Sequence, residues 1–233
     1  MEKIPVKLTS GEKQILIFAA DEKAPLIIYH AVMNEGESLF EKTKAITNMP
    51  FHLAVIGGFD WNRDMSPWAI PKISSDDTAC SGGADAYLCE LCDDIMPTIG
   101  KSLFAPVAYN AIVGYSLAGL FAIYSLYKTD IFASAASCSG SLWYPNFEEY
   151  VRTHEPLRKP DCVYFSLGDK EKNTRNKFLK PVQINTQSIF EHYANSGIKT
   201  DFVMNEGNHY KNCTERTASG IKWILENRRE IKQ

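Results

Sequence analysis

Hydrophobic positions fall along this chain in two rhythms that alternate from residue 14 onward. Short apolar runs at 14–19 and 25–29 are joined by Asp21-Glu22-Lys23 and predict a β-hairpin. Residues 37–49 place Leu39, Phe40, Ala45 and Ile46 at helical spacing, and 51–56 is a strand ending at Gly57-Gly58. A helix follows over 85–99, then a strand at 111–113 and a helix over 117–127 that is apolar on nearly every side, as expected of a buried one. Residues 132–138 form a strand of small side chains, and 146–152 a short helical piece. A strand at 162–167 closes on Gly168, an amphipathic helix over 181–195 ends at Gly197, and a last strand at 200–204 leads to a helix over 214–228. Strands that alternate with helices after the first hairpin predict an α/β fold, with a mainly parallel central sheet and helices on both faces. In such a sheet functional residues gather at the carboxyl ends of the strands.

Composition narrows the class of protein without changing that picture. With 233 residues and 45% hydrophobic content, the whole chain, 1–233, is expected to form a single domain. The net charge of −3 comes from acids and bases mixed along the chain, so no nucleic-acid footprint or membrane-binding patch is expected. No apolar run approaches the roughly 18 residues of a membrane span. The first residues, Met1-Glu2-Lys3-Ile4-Pro5-Val6-Lys7, lack the apolar core of a signal peptide, which predicts a cytoplasmic protein with its six cysteines reduced. Cys89 and Cys92 stand in a helix interior with no further ligand pair nearby, so they are read as packing residues, and neither a metal nor another cofactor is expected.

The chemistry centres on Gly114-Tyr115-Ser116-Leu117-Ala118-Gly119, between the strand at 111–113 and the apolar helix. A serine at a sharp strand-to-helix turn is lifted above the sheet as a nucleophile elbow, and small residues two before and two after it let the two backbones approach. Gly114 and Ala118 meet that need. Such a serine requires a base, and the base an orienting acid, in the chain order serine, acid, histidine. Of five histidines, His30 and His52 precede Ser116, His192 lies within a helix and His154 in a short segment after Trp143. His209 alone sits in a loop directly after a late strand. The acid should follow the strand at 162–167, where Glu171 is the first choice for its longer reach and Asp169 the alternative.

An oxyanion hole needs two backbone N–H groups. Leu117 supplies one at the helix start, and the loop after 25–29 the other, with Val32 the choice and Ala31 the alternative. The long, aromatic loop at 59–83 reads as functional. Trp61, Trp68, Trp143 and Tyr144 are expected to line the substrate cleft, with Asn62, Arg63 and Asp64 at its rim and Arg63 available to an acidic substrate.

Three stretches together resemble the putative esterase group of α/β-hydrolases, which includes esterase D-like and siderophore esterases: residues 114–121, the Ser139-Gly140-Ser141-Leu142-Trp143-Tyr144 turn, and 167–171. The resemblance implies the α/β-hydrolase fold, with Ser116 and His209 as nucleophile and base. The family's acid most often falls three residues after the glycine, at Glu171. The chain departs from the family at His30-Ala31, where Asp-Gly is common, and at Ala118, where glycine is usual. The span from Trp143 to about residue 159 is too short for a separate cap domain, so an open cleft is expected. The expected activity is hydrolysis of a small-molecule carboxylic ester through an acyl-enzyme on Ser116. The alternatives are an acyltransferase on the same residues, or a binding protein that keeps the fold. Oligomeric state is left open.

Overall fold

The computed structural model describes residues 5–31, 35–75 and 78–228. Eight strands make one sheet: β1 (Val6–Ser10), β2 (Lys13–Phe18), β3 (Ala24–His30), β4 (His52–Gly57), β7 (Val107–Tyr115), β8 (Phe132–Cys138), β9 (Cys162–Gly168) and β10 (Lys199–Asn205). A separate two-stranded piece pairs β5 (Ala69–Ile70) with β6 (Cys80–Ser81). The helices are α1 (Gly36–Ile46), α2 (Trp61–Asp64), α3 (Ala84–Glu90), α4 (Met96–Ser102), α5 (Leu117–Ser125), α6 (Phe147–Thr153), α7 (Val182–Asn195) and α8 (Cys213–Asn227), and a π-helical turn, Leu91–Ile95, joins α3 to α4.

The sheet order is β1-β2-β4-β3-β7-β8-β9-β10. From β4 to β10 every pairing is parallel, and β2 is antiparallel to both β1 and β4. This is the mainly parallel α/β-hydrolase sheet. It corrects the expected hairpin: β2 and β3 do not pair, because β4 lies between them and takes Leu16 against Val55 on one side and Tyr29 against Val55 on the other. The short connection between β2 and β3 reverses the chain direction but leaves a gap of one strand, which β4 fills. Strand β1, which pairs with β2 at the sheet edge, was not foreseen.

The central strands are buried on both faces, so their sequences read as continuous apolar runs. Successive residues point into opposite cores. Ile27, Tyr29, Ala111 and Val113 pack with Leu39 and Phe40 of α1 and Ile221 and Ile224 of α8. Leu26, Ile28 and Ile112 pack on the other side with α3, the π turn, α5 and α7. All nine residues of α5 are buried, which explains its lack of a polar face. The small side chains of β8 admit helices closely on both sides, α5 on one and α8 on the other. Only the seven-residue α6 lies between β8 and β9, so no cap domain covers the carboxyl ends of these strands. Among the described residues no helix is long and apolar enough to cross a membrane.

Core packing sets a first test. Phe121 is fully buried against His30 and Tyr87, whereas Phe104 is 96% exposed. Phe121→Ala is expected to cost about 3–5 kcal/mol in urea unfolding, and Phe104→Ala less than about 0.5 kcal/mol. Equal costs would contradict this packing.

Candidate active site

The turn between β7 and α5 holds Ser116 at φ 58°, ψ −125°, a conformation costly for any residue with a side chain. The backbone around it pins that geometry. The Ser116 N–H donates to Cys138 O at 3.2 Å, and its carbonyl accepts from Gly119, Leu120 and Ser141 N–H at 3.0, 3.2 and 2.9 Å. A Cβ on Gly114 would lie 2.0 Å from the Ala118 carbonyl oxygen, so this position requires glycine. Ala118, at the other side of the serine, is 1% exposed, and its methyl packs into the apolar cluster.

The loop after β10 carries His209 to Ser116. His209 Nε2 lies 3.0 Å from Ser116 Oγ, and Nδ1 lies 2.8 Å from Glu171 Oε2. An ionised Glu171 can only accept, so Nδ1 holds the proton and Nε2 is left to accept from the serine hydroxyl. Glu171 folds back on its own turn, with Oε1 accepting the Gly168 N–H at 2.7 Å. Burial on its own would raise the Glu171 carboxyl. The His209 hydrogen bond and charge, the Gly168 N–H and the Ser139 hydroxyl outweigh it and hold the carboxyl below its ordinary 4.5.

Asp169 takes a different task. Its Oδ1 accepts the Gly207 N–H at 2.7 Å, and its own N–H donates to Asn205 O at 2.8 Å, so it ties the β9 and β10 loops together. Tyr115 donates its hydroxyl to the His209 carbonyl at 2.6 Å. Ser141 Oγ stands 3.5 Å from Ser116 Oγ.

Leu117 opens α5, where a helix leaves its first N–H groups without intrahelical partners, and it lines the cleft beside Ser116. Val32 lies outside the described residues. The Ala31 N–H is engaged, donating to Ile56 O at 3.0 Å. At the end of β3, His30 is a buried post: its Nε2 meets Tyr87 Oη at 2.9 Å, three aromatic rings meet it edge-on, and burial pushes its imidazole down to about 3, which keeps it neutral.

A cleft of about 500 Å³ adjoins Ser116, Leu117, Glu171 and His209. Trp61, Ile73, Trp143, Leu179 and Val182 supply apolar walls and Lys170 a cation. Two of the four expected wall aromatics are elsewhere. Tyr144 is fully buried and donates to Trp68 O at 2.5 Å. Trp68 packs on Tyr124, Tyr144, Phe147 and Tyr150 and donates to Pro145 O at 3.1 Å. Trp68 sits behind the wall because α5 and α6 claim its ring, and Tyr144 because its ring packs on Trp68. Arg63 is spent on Asp64, at 2.7 and 3.2 Å, and does not reach the cleft.

Sequence reasoning missed Arg216. It is 3% exposed and meets Glu171 Oε1 at 3.3 Å, Ser139 Oγ at 3.0 Å and Tyr115 Oη at 3.3 Å through Nη1. The signal was present: Arg216 stands four and eight residues before Gly220 and Ile224, on the buried stripe of α8. No group of three or more possible metal-ligating side chains occurs among the described residues.

Residues 45–212 match the family model described as putative esterase. The fold is similar to that of an IroE-like serine hydrolase from Shewanella oneidensis, with a TM-score of 0.76 and 17% identity over 97% of this chain and 80% of that one. It is similar to the siderophore hydrolase EstB from Aspergillus nidulans, with a TM-score of 0.74 and 16% identity over 97% of each chain. The BES protein from Bacillus cereus gives 0.71 and 19% identity, again over 97% of each. No curated protein matches the sequence.

The Glu171 carboxyl yields a pH test. Its folded value is depressed, so its stabilisation is complete above the ordinary 4.5 and is lost as pH falls through the lower folded value. Glu171→Gln, which strands the buried Arg216 charge, is expected to lower stability by about 3 kcal/mol near neutrality. Thermal melts should show that gap closing below pH 4.5, where protonated Glu171 resembles glutamine. A gap independent of pH would contradict it.

Proposed function

The chain belongs to the putative esterase family and is a carboxylic ester hydrolase; from that premise we propose that Ser116 attacks the ester carbonyl with His209 as general base and Glu171 as the acid that orients it. The observation that carries this reading is the unbroken line from Ser116 Oγ to His209 Nε2 at 3.0 Å and from His209 Nδ1 to Glu171 Oε2 at 2.8 Å. As the Ser116 Oγ–C bond forms, the hydroxyl proton passes to Nε2, and Glu171 stabilises the resulting imidazolium. The Leu117 N–H receives the oxyanion, with a second donor from the 30–33 segment, for which Val32 remains the choice because the Ala31 N–H is already used. The imidazolium then protonates the departing alcohol. Water, activated by the same histidine, releases the acid from Ser116.

The cleft walls suit an apolar or aromatic acyl or alcohol group between Trp61 and Trp143. Several fold neighbours are named as siderophore hydrolases or enterobactin esterases, which favours a bulky natural-product ester over a simple lipid. The cleft and sheet act as one domain, and the enzyme works in the cytoplasm, which its free cysteines favour.

Turnover of a chromogenic aryl ester tests the roles. Ser116→Ala and His209→Ala are each expected to lower kcat by roughly 10⁴-fold or more. Glu171→Gln should lower it by ~10³-fold. Asp169→Asn keeps the acceptor for Gly207 and should stay within about threefold of wild type. Full activity in Ser116→Ala, or equal losses at Asp169 and Glu171, would sink the assignment.

The wall assignment has its own test. Trp143→Ala is expected to raise KM about fivefold or more. Tyr144→Phe should leave KM unchanged and cost ~1 kcal/mol of stability through its lost bond to Trp68 O. The reverse pattern would contradict the placement of these two neighbours.

A further inference from the structure

We propose that Arg216, on α8, is a positioning residue for ester hydrolysis: it holds the Glu171 carboxylate in the orientation that aims it at His209. The proposal rests on the roles just assigned to Ser116, His209 and Glu171. It goes beyond them because Arg216 touches neither the cleft nor the reacting atoms.

The geometry divides the two Glu171 oxygens between two tasks. Oε2 faces His209 Nδ1, and Oε1 is held from behind by the Gly168 N–H and Arg216 Nη1. The Arg216 and Glu171 side chains are 2% and 5% exposed, so this ion pair is screened little by water. Arg216 is fixed in turn by Nη2 donating to Glu206 O at 3.1 Å and by Ser139 Oγ. Its contact with Tyr115 Oη closes a ring, because Tyr115 donates to the His209 carbonyl. One guanidinium thereby sets both the acid and the backbone of the histidine. Gly168 leaves the room this needs: a Cβ there would lie 2.3 Å from the Gly207 carbonyl oxygen, 3.0 Å from Glu171 Oε1 and 3.1 Å from Arg216 Nη1. The Arg216 Nε has no partner among the described residues. A purely structural arginine on a helix stripe would be replaceable by an apolar side chain, whereas this one spends its donors on the histidine's support.

A cation behind the acid has an electrostatic consequence. With His209 neutral, Glu171 and Arg216 cancel. When His209 gains a proton the cluster carries one net positive charge, so loss of the Arg216 cation should be read in the pH profile of the reaction. The other titratable groups around His209 are Tyr115 from β7, Asp169 and Lys170 after β9, Glu206, Tyr210 and Lys211 after β10, and Cys213 and Glu215 at the start of α8. Lys211 pairs with Glu206, and Glu215 with Lys42. Arg216 is the buried cation in contact with the acid.

The experiment measures kcat, KM and the pH profile of kcat/KM for wild type, Arg216→Lys, Arg216→Met, Glu171→Gln and the Glu171→Gln/Arg216→Met double variant, at a temperature where circular dichroism shows each folded. Arg216→Met is expected to lower kcat by ~10²-fold with KM unchanged, and to move the acid limb of the profile upward by roughly half a unit or more. Arg216→Lys keeps the charge, so its limb stays in place and part of kcat returns. In the Glu171→Gln background, loss of Arg216 should change kcat by less than about threefold, because its partner is already gone. Should Arg216→Met fail to fold, Arg216→Lys and the double variant, which removes both buried charges, still decide. Losses that multiply in the double variant, or a lowered melting temperature with kcat and the acid limb unmoved, would overturn the proposal. Wild type without ester turnover, or activity surviving Ser116→Ala, would instead strike the assigned roles themselves.

Discussion

The close approach of two backbones at residues 114–119 is the constraint on which the rest of the structure depends. Strand β7 and helix α5 come so near that nothing larger than a hydrogen fits on Gly114, and the turn between them forces Ser116 to a positive φ. Such strain persists only when the surroundings over-determine it. Here they do: β7 is central in the sheet, every residue of α5 is buried, and both backbone polar groups of Ser116 are hydrogen-bonded. The serine hydroxyl therefore has a fixed place above the carboxyl edge of the sheet. The loops after β9 and β10, adjacent and parallel, deliver Glu171 and His209 to the same edge.

Buried charge is distributed economically around that point. Glu171 is almost fully buried, yet its carboxylate is met by a histidine, a backbone N–H and Arg216. An ion pair in such a setting contributes less to stability than it does to order, since desolvation offsets much of the attraction. Order is what the site needs: the His209 ring has one hydrogen bond on each nitrogen and a tyrosine on its carbonyl. Asp169, one turn away, shows the contrast. It faces a backbone N–H and binds two loops together, an architectural use of the same chemical group.

Much of this was legible in the sequence, for reasons that can be named. The elbow could be read because the contact between backbones dictates small residues at 114 and 118. The alternation of strand and helix gave the parallel sheet, since strands buried on both faces are continuous apolar runs. The β2–β3 hairpin was misread because local turn residues do not reveal that β4, far along the chain, inserts between the two strands. Trp68 and Tyr144 looked like wall residues because aromatic side chains suit a cleft as well as a core, and only the packing of Trp68 on α5 and α6, and of Tyr144 on Trp68, sends them inward. Sequence order left Glu171 and Asp169 as neighbouring choices, and the turn at Gly168 gives them different directions. Arg216 carried a readable signal, a lone charge on the apolar stripe of α8, whose meaning depended on the loop that packs over it.

The most direct measurement is covalent capture of the nucleophile. The protein would be treated with an organophosphonate ester and its intact mass and peptide map determined, with Ser116→Ala and His209→Ala treated in parallel. One adduct per chain is expected, located on Ser116, absent from Ser116→Ala and formed far more slowly in His209→Ala. A folded wild-type protein that takes up no phosphonate, or takes it up on a residue other than Ser116, would contradict it.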